Sequence, residues 1–166
     1  TNALDFRGER ILAWLDPQAY AGGKGYQTIQ ALYAIGSGGV FGKGLGNSAQ
    51  KLGWLPEAQN DMILSVIGEE LGVFGVLVLL TMFGILLYRL MFIAQNAPDM
   101  YGALMVTGVF AHIALQVVLN VCVVLNVIPT TGVTLPFVSY GGTSTVFLMA
   151  EMGIALSVSN RIEFDE

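Results

Sequence analysis

Two carboxylates four positions apart, Glu57 and Asp61, are the first candidates for chemistry in this chain. Pro56 suits the first turn of a helix, and a helix that begins there places both carboxylates on one face. Carboxylates this close repel each other, which raises the pKa of one of them or recruits a cation. The pair could serve as a general base or a metal site. Alternatively, it only complements the dipole at a helix N-terminus.

Glu69 and Glu70 are two further acids, at the start of a long apolar run. Ionised groups in lipid are costly, so acids at this depth normally face a cavity or a partner. Gly68 and Gly72 form a pair of small residues four apart, which favours close packing against another helix. We expect the glutamates to be structural, paired with a basic residue on a helix that this chain lacks, with catalysis as the alternative.

A polar stripe runs along a later apolar segment, where His112, Gln116 and Asn120 recur at every fourth position. Glu151 lies in the next apolar segment and is a candidate partner for this stripe. Polar groups inside membrane helices usually face the bundle interior, where they find hydrogen-bond partners. We therefore assign a structural role to these four residues.

The glycine-rich stretch "GSGGVFGKGLG" (36–46) invites comparison with phosphate-binding loops. It matches neither the dinucleotide-binding nor the ATP-binding template. It is either a flexible turn or a cradle of backbone N–H groups for pyrophosphate oxygens. In the second case Lys43 and Lys51 would supply counter-charge, and we add Gln50 to this candidate substrate-binding set.

The composition indicates a membrane protein. Of the 166 residues 54% are hydrophobic and 11% are charged, whereas soluble domains carry about 25% charged residues. The net charge of -5 argues against a nucleic-acid partner. Cys122 is the single cysteine, so the chain offers neither a disulfide framework nor a cysteine metal site. No organic cofactor is expected.

Three segments are long and apolar enough to cross about 30 Å of hydrocarbon as helices. The predicted spans are 61–94, 100–127 and 139–160. Pro129 and Pro136 separate the last two spans at a turn, residues 128–138. Irregular backbone near lipid must be covered by protein or water, so this turn either re-enters the membrane to line a cavity or is an ordinary surface turn.

Residues 1–60 form a polar loop with a predicted amphipathic helix near 25–39, and residues 161–166 form a tail on the opposite side. Five of the seven basic residues lie in the loop, which by the positive-inside rule alone would be cytoplasmic. The loop is long enough for that rule to lose force. Because the chain begins at Thr1 without a signal segment, we expect it to be part of a longer protein.

Three motifs in order, "GLGNSAQKLGWLPEAQND", "VIGEELGVFG" and "LPFVSYGGTS", resemble the C-terminal half of the SEDS family, which includes FtsW, RodA and SpoVE. The resemblance covers nearly the whole chain and is strongest to FtsW. It implies an all-α integral membrane protein of roughly ten spans. This chain would hold the last three transmembrane helices and the large extracytoplasmic loop before them, with residues 161–166 in the cytoplasm.

The family resemblance also implies a function. SEDS proteins are peptidoglycan glycosyltransferases of the bacterial cytoplasmic membrane that polymerise lipid II on its outer side. A class B penicillin-binding protein crosslinks the product, and other divisome membrane proteins and membrane lipids are further expected partners. The family's essential aspartate corresponds to Asp61. This sequence reads "LPEAQNDM" where the family segment resembles "LPEAHTDF", so the acids are kept while the flanking His-Thr and Phe are not.

Asp61 would then take the proton of the acceptor sugar hydroxyl, which attacks the donor's anomeric carbon with inversion as undecaprenyl pyrophosphate leaves. Alternatively, Asp61 and Glu57 would hold a divalent cation, Mg²⁺ or Mn²⁺, against the pyrophosphate. By resemblance, the "SYGG" turn lines the same cavity. The candidate substrate-binding residues are Lys43, Lys51, Gln50, Ser139, Gly141 and Gly142.

Two other functions compete with the glycosyltransferase. A lipid II flippase would depend on the acids and the histidine within the spans, namely Glu69, Glu70, His112 and Glu151. A scaffold that only holds its penicillin-binding partner would tolerate replacement of Asp61 by Asn. Because the N-terminal spans supply other walls of the cavity, we expect these 166 residues alone to be inactive.

Overall fold

The computed structural model describes residues 8, 11–20, 22, 24–48 and 60–162. In these ranges all regular secondary structure is helical. Besides helical residues 11–15, the elements are α1 (Lys24–Gly38), α2 (Ile63–Gln95), α3 (Met100–Val124) and α4 (Gly142–Ser159). The predicted all-α class is therefore confirmed.

Helices α2, α3 and α4 are each long and apolar enough to cross a membrane, with mean hydropathies of 2.5, 1.9 and 1.3 over their best windows. Most of each apolar window is exposed within the described part of the chain. Lipid or further helices must cover these surfaces, because so much apolar area is not stable in water. The chain is thus an integral membrane protein, while the side on which each connection lies stays a prediction.

Helix α2 is broken at Gly72, where φ is 68° and ψ is -168°. The segment that follows α1, residues 39–44, lies across the break and pairs with the backbone groups that the break leaves without helical partners. Irregular backbone at such a position is stable only when its polar groups are paired. The four hydrogen bonds are Lys43 N to Glu69 O and Gly44 N to Glu70 O (both 2.9 Å), Val73 N to Gly39 O (3.0 Å) and Phe74 N to Val40 O (3.1 Å).

Helix α1 packs on α2 mainly through small residues. Its buried positions include Gly25, Thr28, Ala31, Ala34 and Gly38. At the last of these the backbones are so close that a side-chain carbon on Gly38 would overlap the carbonyl oxygen of Gly68. Leu32 and Tyr33, on the predicted amphipathic face, are exposed. The close packing predicted for Gly68 and Gly72 therefore occurs against α1 and the segment after it.

Helix α3 packs between α2 and α4 and carries the core of the bundle. Val106 and Ile113 on this helix are fully buried. Asp99 begins the helix, and its carboxylate accepts a hydrogen bond of 3.1 Å from Gly102 N. Close contact of Gly102 with Val158 then brings α4 against the start of α3. These contacts fix the start of α3. The other end of the helix reaches the site described next.

Candidate functional site

Asp61 lies two residues before α2, at a point where three helices meet. Its side chain is half-buried. Gln27 of α1 donates a hydrogen bond from Nε2 to the Oδ1 atom of Asp61 at 3.3 Å. Asn120 of α3 donates from Nδ2 to the backbone oxygen of Asp61 at 2.8 Å. The predicted catalytic carboxylate is thus attached to α1 through its side chain and to α3 through its main chain.

The turn between α3 and α4 is joined to the same point. Asn120 is fully buried, and its Nδ2 also donates to the backbone oxygen of Val133 at 2.8 Å. Within the turn, Leu135 N donates to Ser139 Oγ at 2.8 Å. Leu135 and Pro136 are both buried, whereas Thr131, Gly132 and Phe137 are exposed, so the choice between a re-entrant turn and a surface turn stays a prediction. The turn and Asp61 therefore have a common anchor on α3.

A groove of about 720 Å³ opens beside this anchor. Ser139, Gly141 and Gly142, the turn residues predicted to bind substrate, all line it. Its wall also includes Ile63, which lies two residues after Asp61 in the chain. The remaining lining is largely apolar, with Val138, Val146 and Met149 among it. Such a surface suits an apolar ligand, and the binding role of the turn residues stays a prediction.

Glu69 is fully buried and receives three side-chain donors from the segment that precedes α2. Its Oε1 accepts from Lys43 Nζ at 2.7 Å and from Ser37 Oγ at 3.4 Å, and its Oε2 accepts from Ser48 Oγ at 2.6 Å. The basic partner was expected on a helix that this chain lacks, whereas the structure provides one in the loop residue Lys43. The predicted role of Lys43 in substrate binding stays a prediction. The neighbouring Glu70 is also buried.

Replacement of Lys43 by Met is expected to destabilise the full-length protein. The substitution removes the Lys43 ammonium from the buried Glu69 carboxylate, and the free energy of unfolding should fall by about 1–3 kcal/mol. This is less than for a fully buried pair, because 39% of the Lys43 side chain is exposed. Thermal unfolding in detergent measures the change.

The double variant Lys43→Met, Glu69→Gln is the control for this prediction. A neutral amide needs no counter-charge, so the double variant should recover part of the lost stability. Unchanged stability in the single variant would contradict the structural role of Lys43 and leave its predicted substrate-binding role as the alternative.

The polar stripe on α3 divides into residues with different partners. His112 Nδ1 lies 2.9 Å from both carboxylate oxygens of Glu151 on α4, and both side chains are partly exposed. Gln116 Oε1 has no hydrogen-bond partner within the described ranges. Asn120 contacts Asp61 and the turn, as described above. The stripe therefore joins α3 to α4 at one end and to the candidate site at the other.

Three predicted site residues, Glu57, Gln50 and Lys51, lie outside the residues that the structure describes. In the described ranges no three His, Cys, Asp or Glu side chains are close enough together to hold a metal ion. Of the two predicted metal ligands, only Asp61 can be placed. Gln27 was not predicted as a site residue, because a glutamine on a loop helix has no sequence feature that indicates a role in a site. Its proximity to Asp61 arises from the packing of α1.

The spans and the site define a helical membrane protein with a carboxylate just before the N-terminus of one span. The family model for FtsW, RodA and SpoVE, described as "Cell cycle protein", matches residues 2–163, and the chain belongs to this family. The predicted SEDS resemblance is confirmed.

Curated relatives include the Bacillus subtilis "Stage V sporulation protein E", 47% identical over 93% of this chain and 42% of that protein. A "Probable peptidoglycan glycosyltransferase FtsW" from Trichlorobacter lovleyi is 48% identical over 93% of this chain and 40% of that protein. The chain thus spans about two fifths of the length of these relatives.

Two solved structures are also similar. The crystal structure of the Thermus thermophilus rod shape determining protein RodA has a TM-score of 0.61 and 38% identity, covering 81% of this chain and 40% of that one. A structure titled "Structural coordination of polymerization and crosslinking by a peptidoglycan synthase complex" has a TM-score of 0.72 and 35% identity. It covers 95% of this chain and 42% of that one.

Proposed function

We propose that the protein to which this chain belongs is a peptidoglycan glycosyltransferase that polymerises lipid II, with Asp61 as its general base. The observation that carries the proposal is the position of Asp61. Asp61 lies two residues before a membrane span, its carboxylate accepts a hydrogen bond from Gln27, and Ile63, two residues further along the chain, lines a groove with apolar walls. Relatives named as probable peptidoglycan glycosyltransferases support the reaction class.

In the proposed step, the acceptor sugar hydroxyl transfers its proton to a carboxylate oxygen of Asp61 while its own oxygen attacks the anomeric carbon of the donor chain. The bond from that carbon to the pyrophosphate oxygen breaks, and undecaprenyl pyrophosphate leaves with the bonding electrons. Attack opposite the leaving group inverts the anomeric configuration. A positioned carboxylate base of this kind contributes about 10²–10⁴-fold to the rate.

The proposed location is the bacterial cytoplasmic membrane, with Asp61 at the outer surface, where lipid-linked sugars are exposed for polymerisation. The proposed partner is a class B penicillin-binding protein, supported by the similar structure whose title joins polymerisation to crosslinking. Other divisome membrane proteins and membrane lipids are further proposed partners.

A divalent cation, Mg²⁺ or Mn²⁺, remains a proposal for the pyrophosphate. Of its two proposed ligands only Asp61 is described, and the described residues bring no third acidic, histidine or cysteine side chain to it. A bound cation would neutralise charge on the leaving pyrophosphate. The base role of Asp61 does not require the cation.

The test is synthesis of glycan strands from purified lipid II by the full-length protein and its penicillin-binding partner in liposomes, with lipid II translocation measured in parallel. Strand formation without translocation supports the glycosyltransferase. Translocation without strands would support the flippase. The flippase depends on acids that can face a substrate path, and Glu69 is held by Lys43, Ser37 and Ser48 instead.

A further inference from the structure

The side-chain amide of Asn120 donates hydrogen bonds to two separate stretches of main chain. Its Nδ2 donates to the backbone oxygens of Asp61 and Val133, each at 2.8 Å. The residue is 0% exposed, so water cannot replace these bonds if the amide is lost. An amide has two N–H donors, and both are used here. Its Oδ1 has no hydrogen-bond partner among the described residues.

This arrangement couples the proposed base to the wall of the groove. Asp61 precedes α2 by two residues, and Val133 belongs to the turn whose later residues, Ser139 among them, line the groove. Because one buried side chain joins both, Asn120 ties the main chain at Asp61 to the turn whose later residues line the groove. A displacement of about 1 Å at a reacting group can cost 10²-fold in rate.

Gln27 contacts the carboxylate of the same aspartate. It donates to Oδ1 at 3.3 Å, which limits rotation of the carboxylate. Gln27 is carried by α1, whose close backbone contact with α2 at Gly38 and Gly68 fixes the helix. The main chain of Asp61 is thus held by α3, and its carboxylate is oriented by α1.

We propose that Asn120 and Gln27 are positioning residues for Asp61. Asn120 fixes the position of the Asp61 main chain relative to the turn that lines the groove, and Gln27 orients the Asp61 carboxylate. The proposal rests on the proposed function. Asn120 acts through hydrogen bonds to main chain alone, and its role concerns the rate of the chemical step rather than affinity for lipid II.

The test compares Asn120→Leu and Gln27→Leu in the full-length protein with its penicillin-binding partner. Leucine fills similar space and removes the donors. The matched controls are Gln116→Leu on α3 and Gln30→Leu on α1, which lose an amide one turn away. Initial rates of glycan synthesis against lipid II concentration give kcat and KM, normalised to folded protein by size-exclusion chromatography.

We expect kcat to fall about 10- to 100-fold in Asn120→Leu and Gln27→Leu, with KM within about twofold of wild type. The two controls should keep the wild-type kcat. A raised KM at wild-type kcat, or equal losses in the controls, would overturn the positioning role. If Asn120→Leu yields no folded protein, Gln27→Leu decides the outcome, because that residue lies on a half-buried face of α1.

Asp61→Asn is measured in the same series, so that failure of the positioning role can be distinguished from failure of the base assignment. If Asp61→Asn is inactive while Asn120→Leu and Gln27→Leu have wild-type kcat, the positioning role is wrong and the base assignment stands. If Asp61→Asn is fully active, the assignment of the base is wrong and the positioning role falls with it.

Discussion

Replacement of Asp61 by Asn in the full-length protein is expected to lower glycan synthesis by about 10²–10⁴-fold, the contribution of a positioned general base. Asparagine has nearly the same shape and keeps an oxygen that can accept the hydrogen bond from Gln27. It cannot take a proton from the acceptor hydroxyl. The loss should therefore appear in the chemical step while the folded state and the proposed complex with a penicillin-binding protein persist.

Asp99→Asn is the matched control for this prediction. Asp99 caps the N-terminus of α3 through Gly102 N, and asparagine is an equally good cap. The control therefore removes one acid without removing a structural contact. Strand length and yield on gels, with partner pull-down, measure both variants. Full activity in Asp61→Asn would move the base elsewhere and favour a scaffold or a flippase.

A chelator added to the wild-type reaction separates the two proposed roles of Asp61. A bare carboxylate base is insensitive to removal of divalent cations. A cation held by Asp61 and Glu57 would make the rate fall with chelation and recover when Mg²⁺ or Mn²⁺ is restored. Unchanged activity in chelator, together with loss of activity in Asp61→Asn, would leave the base role alone.

The spans could be predicted from the sequence because apolar length alone determines them. Residues 71–88 contain no Asp, Glu, Lys or Arg, and no soluble fold stabilises such a helix with most of its surface exposed. The break at Gly72 could not be predicted in this way. The stretch around it is compatible with a continuous helix, and the groups that satisfy the break belong to residues 39–44, far earlier in the chain.

The candidate site was predictable only in part. Spacing paired Glu57 with Asp61 and left a helix-dipole role open, and the family resemblance selected Asp61. The two amides that hold it were not assigned to it, because Gln27 and Asn120 reach Asp61 only through the packing of α1 and α3. The contact of Lys43 with Glu69 was not predicted for the same reason: it depends on how the loop folds against the broken helix.

Replacement of Gly72 by Ala is expected to be among the most destabilising single changes in the described part of the chain. With φ at 68° and ψ at -168°, the residue occupies a region of backbone space that is essentially restricted to glycine. A side-chain carbon there would also lie 2.5 Å from both Gly42 N and Val40 O. Strain and overlap together should lower the free energy of unfolding by at least about 3 kcal/mol.

Gly84→Ala provides the control on the same helix. An added carbon at Gly84 meets nothing within 4 Å, and alanine favours a helix over glycine by about 0.5–1 kcal/mol. Thermal unfolding of the full-length protein in detergent should therefore show a large loss for Gly72→Ala and none for Gly84→Ala. Equal melting temperatures would mean that α2 is continuous at Gly72. In that case the segment 39–44 would not bridge a break, and the contact of Lys43 with Glu69 would lose its structural basis.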